Sequence, residues 1–494
     1  MQRPSNRRSG IRAFTGMAPC AKSDDRLTEP IGCEYNLDVV YILLRMPGAL
    51  DMKHAFRSYS LAVLALLALW LASAQPKAEV ERATAVPSRI ILSWAGDPAR
   101  SQAVTWRTEI LRPSAQAEIA KLTAGPDFED SASRVHGTVA SDDLGGGRTA
   151  GHYAVRFEGL DPATKYCYRV GDGRVWSEWN VFRTASSNNE PFRFIYLGDA
   201  QNDIKSLWSR VVRTAYAAAP DARFIVHAGD LVADGYDDRL WGEWADAMSF
   251  IGAMVPSLPV PGNHDLHRAP GSPNASKVFG APPLWRRHFA LPDNGPGIEE
   301  LKSQCYYIDY QGVRFIALDV NAFANEDFER DARDGVRTKL TQWLDKTLQS
   351  NRNPWTVVVQ HQTIYAIVKD RNYRDMRAAL TPLYEKYKVD LVLQGHDHVY
   401  ARTHKVAGGK VAAPSAAGVV YVISVSGPKM YDAHKLHREL MAKLIEKKQF
   451  YQIIEVSPER LHYDSFTLGG ALADTFELRK TQGESLYVNG IPVD

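Results

Sequence analysis

The sequence predicts an α/β protein in which a small all-β domain precedes a larger α/β domain. Short alternating or β-branched runs, separated by turn residues, fill residues 86–186 and are typical of a β-sandwich. From residue 191 onward, apolar strand-like runs alternate with helical patterns, as in a layered α/β fold. The polar segment Ala-Ser-Ser-Asn-Asn-Glu-Pro at 185–191 separates the two patterns and predicts a linker.

The β domain is predicted to contain four strands, at residues 89–94, 102–107, 152–157 and 166–170. The segment 160–166, Leu-Asp-Pro-Ala-Thr-Lys-Tyr, is typical of a corner between strands at which the tyrosine hydroxyl bonds back to the backbone. Trp106 fits a buried aromatic on a neighbouring strand. The stretch resembles a fibronectin type III domain, although any small β-sandwich would give a similar pattern.

The α/β domain is predicted to span residues 191–480. Its strands are expected at residues 192–197, 224–228, 313–318, 356–360, 391–394 and 419–424. Helical spacing of apolar residues predicts helices at residues 204–215, 333–348 and 374–387. A closing hairpin is predicted from strands at 451–456 and 461–466.

The composition excludes several classes of protein. The 494 residues include 59 Lys and Arg against 57 Asp and Glu, so the formal net charge is +2. That near-balance argues against a nucleic-acid partner and against an anionic membrane surface. With 45% hydrophobic and 23% charged residues, general disorder is excluded. Four cysteines are too few for a disulfide scaffold, and their spacing does not resemble a zinc knuckle.

Residues 52–74 have the features of a signal peptide. A basic start at Met52 precedes an apolar run at 61–71 and an Ala-Ser-Ala cleavage site, and the run is shorter than the roughly 20 residues of a membrane span. We therefore predict cleavage after Ala74 and export to the periplasm or beyond, with no stable membrane partner afterwards. An uncleaved anchor is the alternative. Since residues 1–51 would obstruct the leader, we predict that translation starts at Met52, a disordered cytoplasmic tail being the alternative.

Five short motifs follow strand-like runs and carry the residues able to do chemistry. They are Gly-Asp199-Ala-Gln201, Gly-Asp230, Gly-Asn263-His264-Asp265, Gln-His361 and Gly-His396-Asp-His398. Open α/β sheets place functional groups at the carboxyl ends of their strands, and a preceding glycine allows a sharp turn and close backbone approach. Each motif alone is weak evidence, but the five in this order predict one site.

The residue types in these motifs predict a metal centre. Two Asp, one Asn and three His form a mixed set that favours Zn, Mn, Fe or Ni over Ca, which prefers oxygen alone, and over a thiolate site. The set exceeds what one tetrahedral ion needs. Two ions bridged by one carboxylate fit better, and such a pair, about 3.5–4 Å apart, clamps the attacking and leaving oxygens of a phosphate ester.

The order of the motifs resembles that of the calcineurin-like metallophosphoesterase superfamily. The preceding β-sandwich, the Pro-Ser-Arg-Ile-Ile-Leu-Ser-Trp opening at 87–94, His-Val-Tyr-Ala-Arg at 398–402 and the closing hairpin narrow the resemblance to the purple acid phosphatases. It covers residues 87–480. It implies a four-layer α/β/β/α metallophosphoesterase sandwich and a phosphoric ester hydrolase that acts on small-molecule phosphate esters.

The resemblance also implies a role for each motif residue. The first metal ion would be bound by Asp199, Asp230 and His398. The second ion would be bound by Asp230, Asn263, His361 and His396, so that Asp230 bridges the two. His264 would lie beside the substrate phosphate, as general acid toward the leaving group or as a stabiliser of charge on the phosphoryl oxygens. The expected mechanism is in-line attack on phosphorus by a metal-bound hydroxide.

Two departures from the family's pattern bear on the metals, for which Fe, Zn and Mn are all candidates. Purple acid phosphatases carry a tyrosine three residues after the bridging aspartate, where this chain has Ala233. Their colour comes from a tyrosinate–iron(III) bond, so we predict that this protein is not purple; a visible charge-transfer band from the isolated protein would contradict this. Gln201 replaces the family's glycine two residues after Asp199. One interpretation is that its carbonyl oxygen ligates the metal; the other is that Gln201 only hydrogen-bonds a bound water.

Phosphate monoester hydrolysis, an acid phosphatase-like activity, is the predicted function. A phosphodiesterase or nucleotide pyrophosphatase on the same metal core is the main alternative. A surface binding module with an inactive catalytic domain is a further alternative, against which the intact ligand set argues. Arg286 or Arg287 could contact a phosphate, but surface ion pairs are the commoner role of such arginines. Asp234 either supports the bridging residue or is a solvated loop residue.

Overall fold

The computed structural model describes residues 86–109, 111–145, 148–266, 280, 282–324, 330–481 and 484–489. The predicted leader at 52–74 and the extension at 1–51 lie outside these ranges, as do Cys20, Cys33 and most of 267–281. Within these ranges, no helix is both long and apolar enough to cross a membrane. Cys167 and Cys305 are buried and do not pair.

The first domain is built from two four-stranded sheets, ordered β1-β2-β6-β5 and β4-β3-β7-β8. The strands are β1 (Ser88–Ser93), β2 (Gln102–Thr108), β3 (Gln116–Lys121), β4 (Ser133–His136), β5 (Thr138–Gly145), β6 (Arg148–Phe157), β7 (Lys165–Gly171) and β8 (Asn180–Arg183). The four predicted strands are confirmed. The other four were missed because their short or charge-bearing runs lack β-branched residues at alternate positions.

The core of this domain lies between its two sheets and contains the predicted aromatic residues. Trp106 is 2% exposed and stacks on Tyr153 with ring centroids 5.3 Å apart. The predicted tyrosine corner is confirmed, since the Asp161 amide donates to the Tyr166 hydroxyl at 2.9 Å. The corner fixes the turn into β7.

The second domain contains two seven-stranded sheets, ordered β11-β10-β9-β21-β22-β23-β24 and β12-β13-β14-β15-β19-β16-β20, and a small ribbon β17-β18. The strands are β9 (Phe192–Leu197), β10 (Ile225–Ala228), β11 (Ser257–Val260), β12 (Tyr306–Tyr310), β13 (Val313–Leu318), β14 (Trp355–Gln360), β15 (Leu391–Gln394), β16 (Tyr400–Thr403), β17 (Val406–Ala407), β18 (Lys410–Val411), β19 (Val420–Ile423), β20 (Met441–Ile445), β21 (Phe450–Val456), β22 (Arg460–Thr467), β23 (Leu472–Thr481) and β24 (Glu484–Asn489). Both sheets are mixed: β9, β10 and β11 are parallel, as are β13, β14, β15 and β19.

The helices of this domain are α1 (Ser209–Ala218), α2 (Asp238–Met254), α3 (Pro283–His288), α4 (Asn321–Ala324), α5 (Arg330–Gln349) and α6 (Arg374–Lys386). They lie outside the two sheets. Successive residues of β13 point to opposite faces of the second sheet. Phe315 packs on Phe194 of the first sheet, with ring centroids 5.3 Å apart. Ile316 points the other way and belongs to a second core with Leu340 of α5 and Leu380 of α6. Val211 of α1 belongs to the first core, and the predicted four-layer α/β/β/α fold is confirmed.

The α/β domain contains elements that were not predicted, among them β12, β16, β20, α3 and α4, and it differs from the prediction in other details. The predicted helix at 204–215 opens with a π-helical turn, Ile204–Trp208, before α1 begins. Helix α2 was missed because its apolar residues are too numerous to form a clear stripe. The hairpin β21-β22 does not close the domain, since β23 and β24 follow it and extend the first sheet. Their apolar residues alternate with charged ones, and for this reason the sequence analysis did not identify them as strands.

Polar contacts join the two domains. Arg89 and Arg107 of the sandwich pair with Asp238 of α2 at 2.7 and 3.0 Å. Arg287 of α3 pairs with Asp142 of β5 at 2.8 Å, and the hydroxyl of Tyr168 donates to the carbonyl of Ala253 at the end of α2 at 2.7 Å. The expected ion-pair role of Arg287 is therefore confirmed, and Arg286 contacts Glu299 at 3.3 Å in the same way.

Candidate metal centre

The carboxyl ends of five parallel strands converge on one site. Asp199 follows β9, Asp230 follows β10 and Asn263 follows β11, all in the first sheet. His361 directly follows β14, and the His396 and His398 pair follows β15, in the second sheet. The sheets pack face to face, so their strand ends bring the predicted ligands together.

Four of the predicted ligands hold a left-handed backbone conformation. The φ angles are 51° at Asp199, 52° at Asp230, 72° at His396 and 49° at His398. For residues other than glycine this conformation costs roughly 1–2 kcal/mol, which the surrounding structure must supply. Such strain clusters at functional sites, because tight turns aim neighbouring side chains at one point.

The motif glycines give these turns the space they need. A Cβ added at Gly229, whose φ is 83°, would lie 2.5 Å from Nδ1 of His361. A Cβ at Gly395 would lie 2.6 Å from Oδ2 of Asp199. Since real side chains do not approach so closely, only glycine fits, which confirms the close approach predicted from the sequence.

Two groups of ligand atoms share one carboxylate. Asp199, Asp230 and His398 form one group, and Asp230, His361 and His396 form the other, with the atoms of each group within 4.8 Å of one another. Nε2 of His361 lies 3.2 Å from Oδ2 of Asp230, and Nε2 of His398 lies 3.5 Å from Oδ1 of Asp199. All five side chains are buried. This is the grouping that two ions bridged by Asp230 would need.

Two amide oxygens complete the set. Oε1 of Gln201 and Oδ1 of Asn263 are buried and have no hydrogen-bond partner among the described residues. Nε2 of Gln201 donates to Oδ2 of Asp230 at 2.7 Å, and the residues on either side of Asn263 enclose that carboxylate. Buried carbonyl oxygens left without a donor suit a cation. The donor set therefore fits two metal ions, with Gln201 as an additional donor.

Hydrogen bonds fix which nitrogen of each histidine faces the centre. Nδ1 of His361 donates to the carbonyl of Ala228, and Nδ1 of His398 donates to the carbonyl of Lys429, both at 2.8 Å. Their Nε2 atoms are then the candidate metal-binding atoms. His396 is reversed: its Nδ1 lies 3.2 Å from Nε2 of His361, and its Nε2 lies 2.6 Å from the hydroxyl of Tyr373. Such outer contacts orient metal-binding histidines.

The electrostatics of the site favour a bound cation. Burial lowers the pKa of His398 to about 3, so this imidazole is neutral and offers a lone pair. Burial opposes a charge on His361 as well, but Asp230 and Asp199 outweigh it and raise its pKa to about 9. Without metal, a proton on His361 therefore balances the Asp230 charge. A metal ion would displace this proton.

The predicted catalytic His264 lies beside the bridging carboxylate. Its amide donates to Oδ1 of Asp230 at 2.8 Å, and its Nδ1 lies 3.0 Å from the carbonyl oxygen of Ala233. The position that bears the family's tyrosine thus contributes a backbone oxygen here. Asp234 accepts from the amide of Tyr236 at 2.9 Å, which is a local turn and agrees with its role as a loop residue.

Sequence reasoning missed three residues around the centre. Asp265 accepts from the amides of Leu231, Val232 and Gly262 at 2.9–3.1 Å and is fully buried. Asp397 accepts from Arg371 at 3.0 Å and is also fully buried. Both lie inside the recognised motifs, so a carboxylate next to a predicted ligand was the signal that could have identified them. Tyr373 lies outside every motif and gave no signal.

Comparisons with known proteins find two family matches along the chain. Residues 192–400 match the calcineurin-like phosphoesterase family, and residues 87–184 match the purple acid phosphatase N-terminal domain. Acid phosphatase type 7 of Mus musculus is 25% identical over 370 residues, which cover 69% of this chain and 77% of that protein. The Fe(3+)-Zn(2+) purple acid phosphatase 12 of Arabidopsis thaliana is 26% identical over 261 residues, which cover 50% of this chain and 51% of that protein.

A solved structure shares the fold. Purple acid phosphatase PPD1 from yellow lupin (Lupinus luteus) seeds has a TM-score of 0.66 at 16% sequence identity, covering 80% of this chain and 75% of that one. The chain spans about half the length of several of the curated relatives it matches. The predicted family resemblance is confirmed by these findings.

Proposed function

Because residues 192–400 belong to the calcineurin-like phosphoesterase family and residues 87–184 to the purple acid phosphatase N-terminal domain, we propose that this protein hydrolyses phosphate monoesters with two bound metal ions. The observation that carries the proposal is the pair of ligand groups that share Asp230. These residues would hold two metal ions, and the chemistry that the ions would supply is activation of water and polarisation of the phosphoryl oxygens.

The proposed first site consists of Asp199, Asp230, His398 and the carbonyl oxygen of Gln201. The proposed second site consists of Asp230, Asn263, His361 and His396. The mixed oxygen and imidazole donors suit Fe, Zn or Mn, and a relative named for iron and zinc supports the first two. Ala233 removes the phenolate that would favour iron(III) at the first site, so we propose that this site does not require it.

His264 is proposed to act as general acid and donate a proton to the oxygen of the leaving group. A carbonyl oxygen only accepts hydrogen bonds, so the contact with Ala233 places a proton on Nδ1 of His264. Nε2 is then the nitrogen that gains or loses a proton during the reaction. The contact also fixes the ring next to Asp230, where a substrate phosphate would bind.

The test compares substrates on the metal-loaded full-length chain. We expect kcat/KM for an aryl phosphate monoester to exceed that for the matching diester, and His264→Asn to lower monoester kcat by roughly 10²–10⁴-fold while both ions stay bound. Asp230→Asn is expected to abolish binding of both ions. The control is His462→Gln, because His462 lies on β22 in a surface ion network with Asp464 and should leave both readouts unchanged.

A diester preference would replace the proposed substrate class with phosphate diesters on the same metal core. Absence of hydrolysis of either ester by a folded protein that holds two ions would overturn the proposal and favour the binding-module alternative.

We also propose that the protein is exported, on the strength of the leader predicted at residues 52–74. N-terminal sequencing of the exported protein should give a mature chain that starts at Gln75. A mature N-terminus upstream of Met52 would contradict both the start site and the leader.

A further inference from the structure

Tyr373 contacts the proposed metal centre from outside every sequence motif. It directly precedes α6, on the segment that follows His361. Its hydroxyl lies 2.6 Å from Nε2 of His396, and the two rings lie 5.8 Å apart. Tyr373 as a whole is only partly buried.

The direction of this hydrogen bond follows from the orientation of His396. Nδ1 of His396 lies 3.2 Å from Nε2 of His361, within the ligand group that includes Asp230. A nitrogen that binds a cation offers its lone pair, so the proton of a neutral His396 must be on Nε2. Nε2 therefore donates and the oxygen of Tyr373 accepts.

A phenol that accepts this bond still has its own proton to donate. A tyrosine hydroxyl is protonated at neutral pH and carries one O–H. In the described part of the chain, His396 is the only hydrogen-bond partner of this hydroxyl. When metal is bound, the O–H of Tyr373 is therefore a hydrogen-bond donor beside His396 that is available to an acceptor.

The neighbouring cation is Arg371. Its Nη1 bonds the carboxylate of Asp397 at 3.0 Å and the backbone oxygen of His396, and its guanidinium lies over the ring of Tyr431. These contacts hold the turn that carries His396. Tyr373 is a second donor at this edge of the centre, and no described residue accepts its proton.

We propose that Tyr373 binds the substrate: its oxygen accepts from Nε2–H of His396 while its O–H donates to a non-bridging oxygen of the phosphoryl group. This inference rests on the proposed function and names a phosphate-binding residue for it. The proton stays on the tyrosine throughout, so the residue positions and stabilises charge rather than transferring a proton.

The test is Tyr373→Phe, which removes only the hydroxyl. With the protein saturated in metal, we expect the Kd of inorganic phosphate, measured by isothermal titration calorimetry, to rise about tenfold or more, and kcat/KM for an aryl phosphate to fall by about tenfold to a hundredfold. Metal analysis should still find two ions, and the thermal midpoint should stay close to that of the parent protein.

The matched control is Tyr387→Phe. Tyr387 follows the other end of α6, and its hydroxyl bonds Asp345 of α5 at 2.9 Å, away from the strand ends. We expect no change in phosphate affinity or kcat/KM. The same atom is removed in both variants, so a difference between them isolates the position of the hydroxyl.

Two results would overturn the inference. If Tyr373→Phe lowers metal affinity but leaves the Kd of phosphate for the saturated protein unchanged, Tyr373 serves only to orient His396. If the unmodified protein with two ions neither binds phosphate nor hydrolyses esters, the proposed function itself fails and this inference fails with it. The second result appears before any substitution is made, so the two failures are distinguishable.

Discussion

At the scale of single residues, Asp265 holds together the two loops that meet at the carboxylate of Asp230. Its Oδ1 accepts from the amides of Leu231 and Val232, which follow Asp230, and its Oδ2 accepts from the amide of Gly262, which precedes Asn263. One buried side chain thus fixes the turn of one ligand relative to that of the next. An aspartate in this role needs both oxygens as acceptors.

Asp265→Asn should therefore destabilise the protein although it keeps the size of the side chain. The new NH₂ group would face the Gly262 amide, leaving one buried donor unsatisfied at a cost of about 1–3 kcal/mol in unfolding free energy. Urea unfolding measures the loss. Asp234→Asn is the control, because Asn keeps the oxygen that accepts from the amide of Tyr236. Its unfolding free energy should stay within about 0.5 kcal/mol of that of the parent protein. Equal effects would contradict the assignment.

At the scale of elements, α2 of the α/β domain contacts the β-sandwich. The carboxylate of Asp238, at the first turn of α2, receives Arg89 from β1 and Arg107 from β2. Burial opposes the charge on Asp238, but the two arginines outweigh it and hold the pKa of that carboxyl below its usual range. The stabilising charge is thus present above about pH 4 and is lost as the pH falls through the lowered pKa.

Asp238→Asn should lower the unfolding free energy at pH 7 by about 3 kcal/mol, because it leaves two arginines in a buried site without their carboxylate. Chemical denaturation measures this loss, which should shrink on approaching pH 3. Asp246→Asn on the same helix is the control. Asp246 pairs with Lys205 at 2.7 Å, but the lysine is 67% exposed, so its loss should cost less than about 1 kcal/mol. Similar losses in both variants would show that the interface pair is not a major contributor.

At the scale of the whole molecule, buried neutral histidines set the response to acid. Burial lowers the pKa of His227 to about 3 and, more than the opposing pull of Asp142, that of His152 to about 4. His227 packs on Trp244 of α2, and His152 lies at the domain interface near His288. An unfolded histidine titrates near pH 6.5, so the unfolded chain binds more protons below that pH. The contribution of these two histidines to stability is therefore expected to be full above pH 6.5 and to fall as the pH drops.

We expect each of these histidines to lower the unfolding free energy by about 1.4 kcal/mol for each pH unit between pH 6.5 and its lowered pKa. His227→Phe should therefore reduce the pH slope of the unfolding free energy at pH 5 by about one proton, as urea midpoints at pH 7 and pH 5 would reveal. His462→Gln tests the opposite sign: its hydrogen bond to Asp464 raises the pKa of His462, so its contribution grows in acid. An unchanged slope in His227→Phe would contradict the assignment.

Several elements were predictable because their signals are local. Strands β9, β10, β14 and β15 are mainly apolar runs, and a motif follows the end of each one. The tyrosine corner at Tyr166 is a pattern of seven consecutive residues. The elements that were missed have patterns that depend on partners: β23 and β24 alternate charged and apolar residues. Only the pairing of β23 with β22, and of β24 with β23, makes them strands.

By itself, the sequence determined the chemistry of the site: which donor residues it holds, and that each lies at the carboxyl end of a strand. Only the tertiary structure decided which donors meet, because β9 and β10 lie in one sheet and β14 and β15 in the other, and the packing of the two sheets groups Asp230 with two sets of partners. Tyr373 shows the same limit, since its contact with His396 joins residues that no spacing along the chain relates. Ligand identity is a local property, whereas ligand geometry depends on contacts between distant segments.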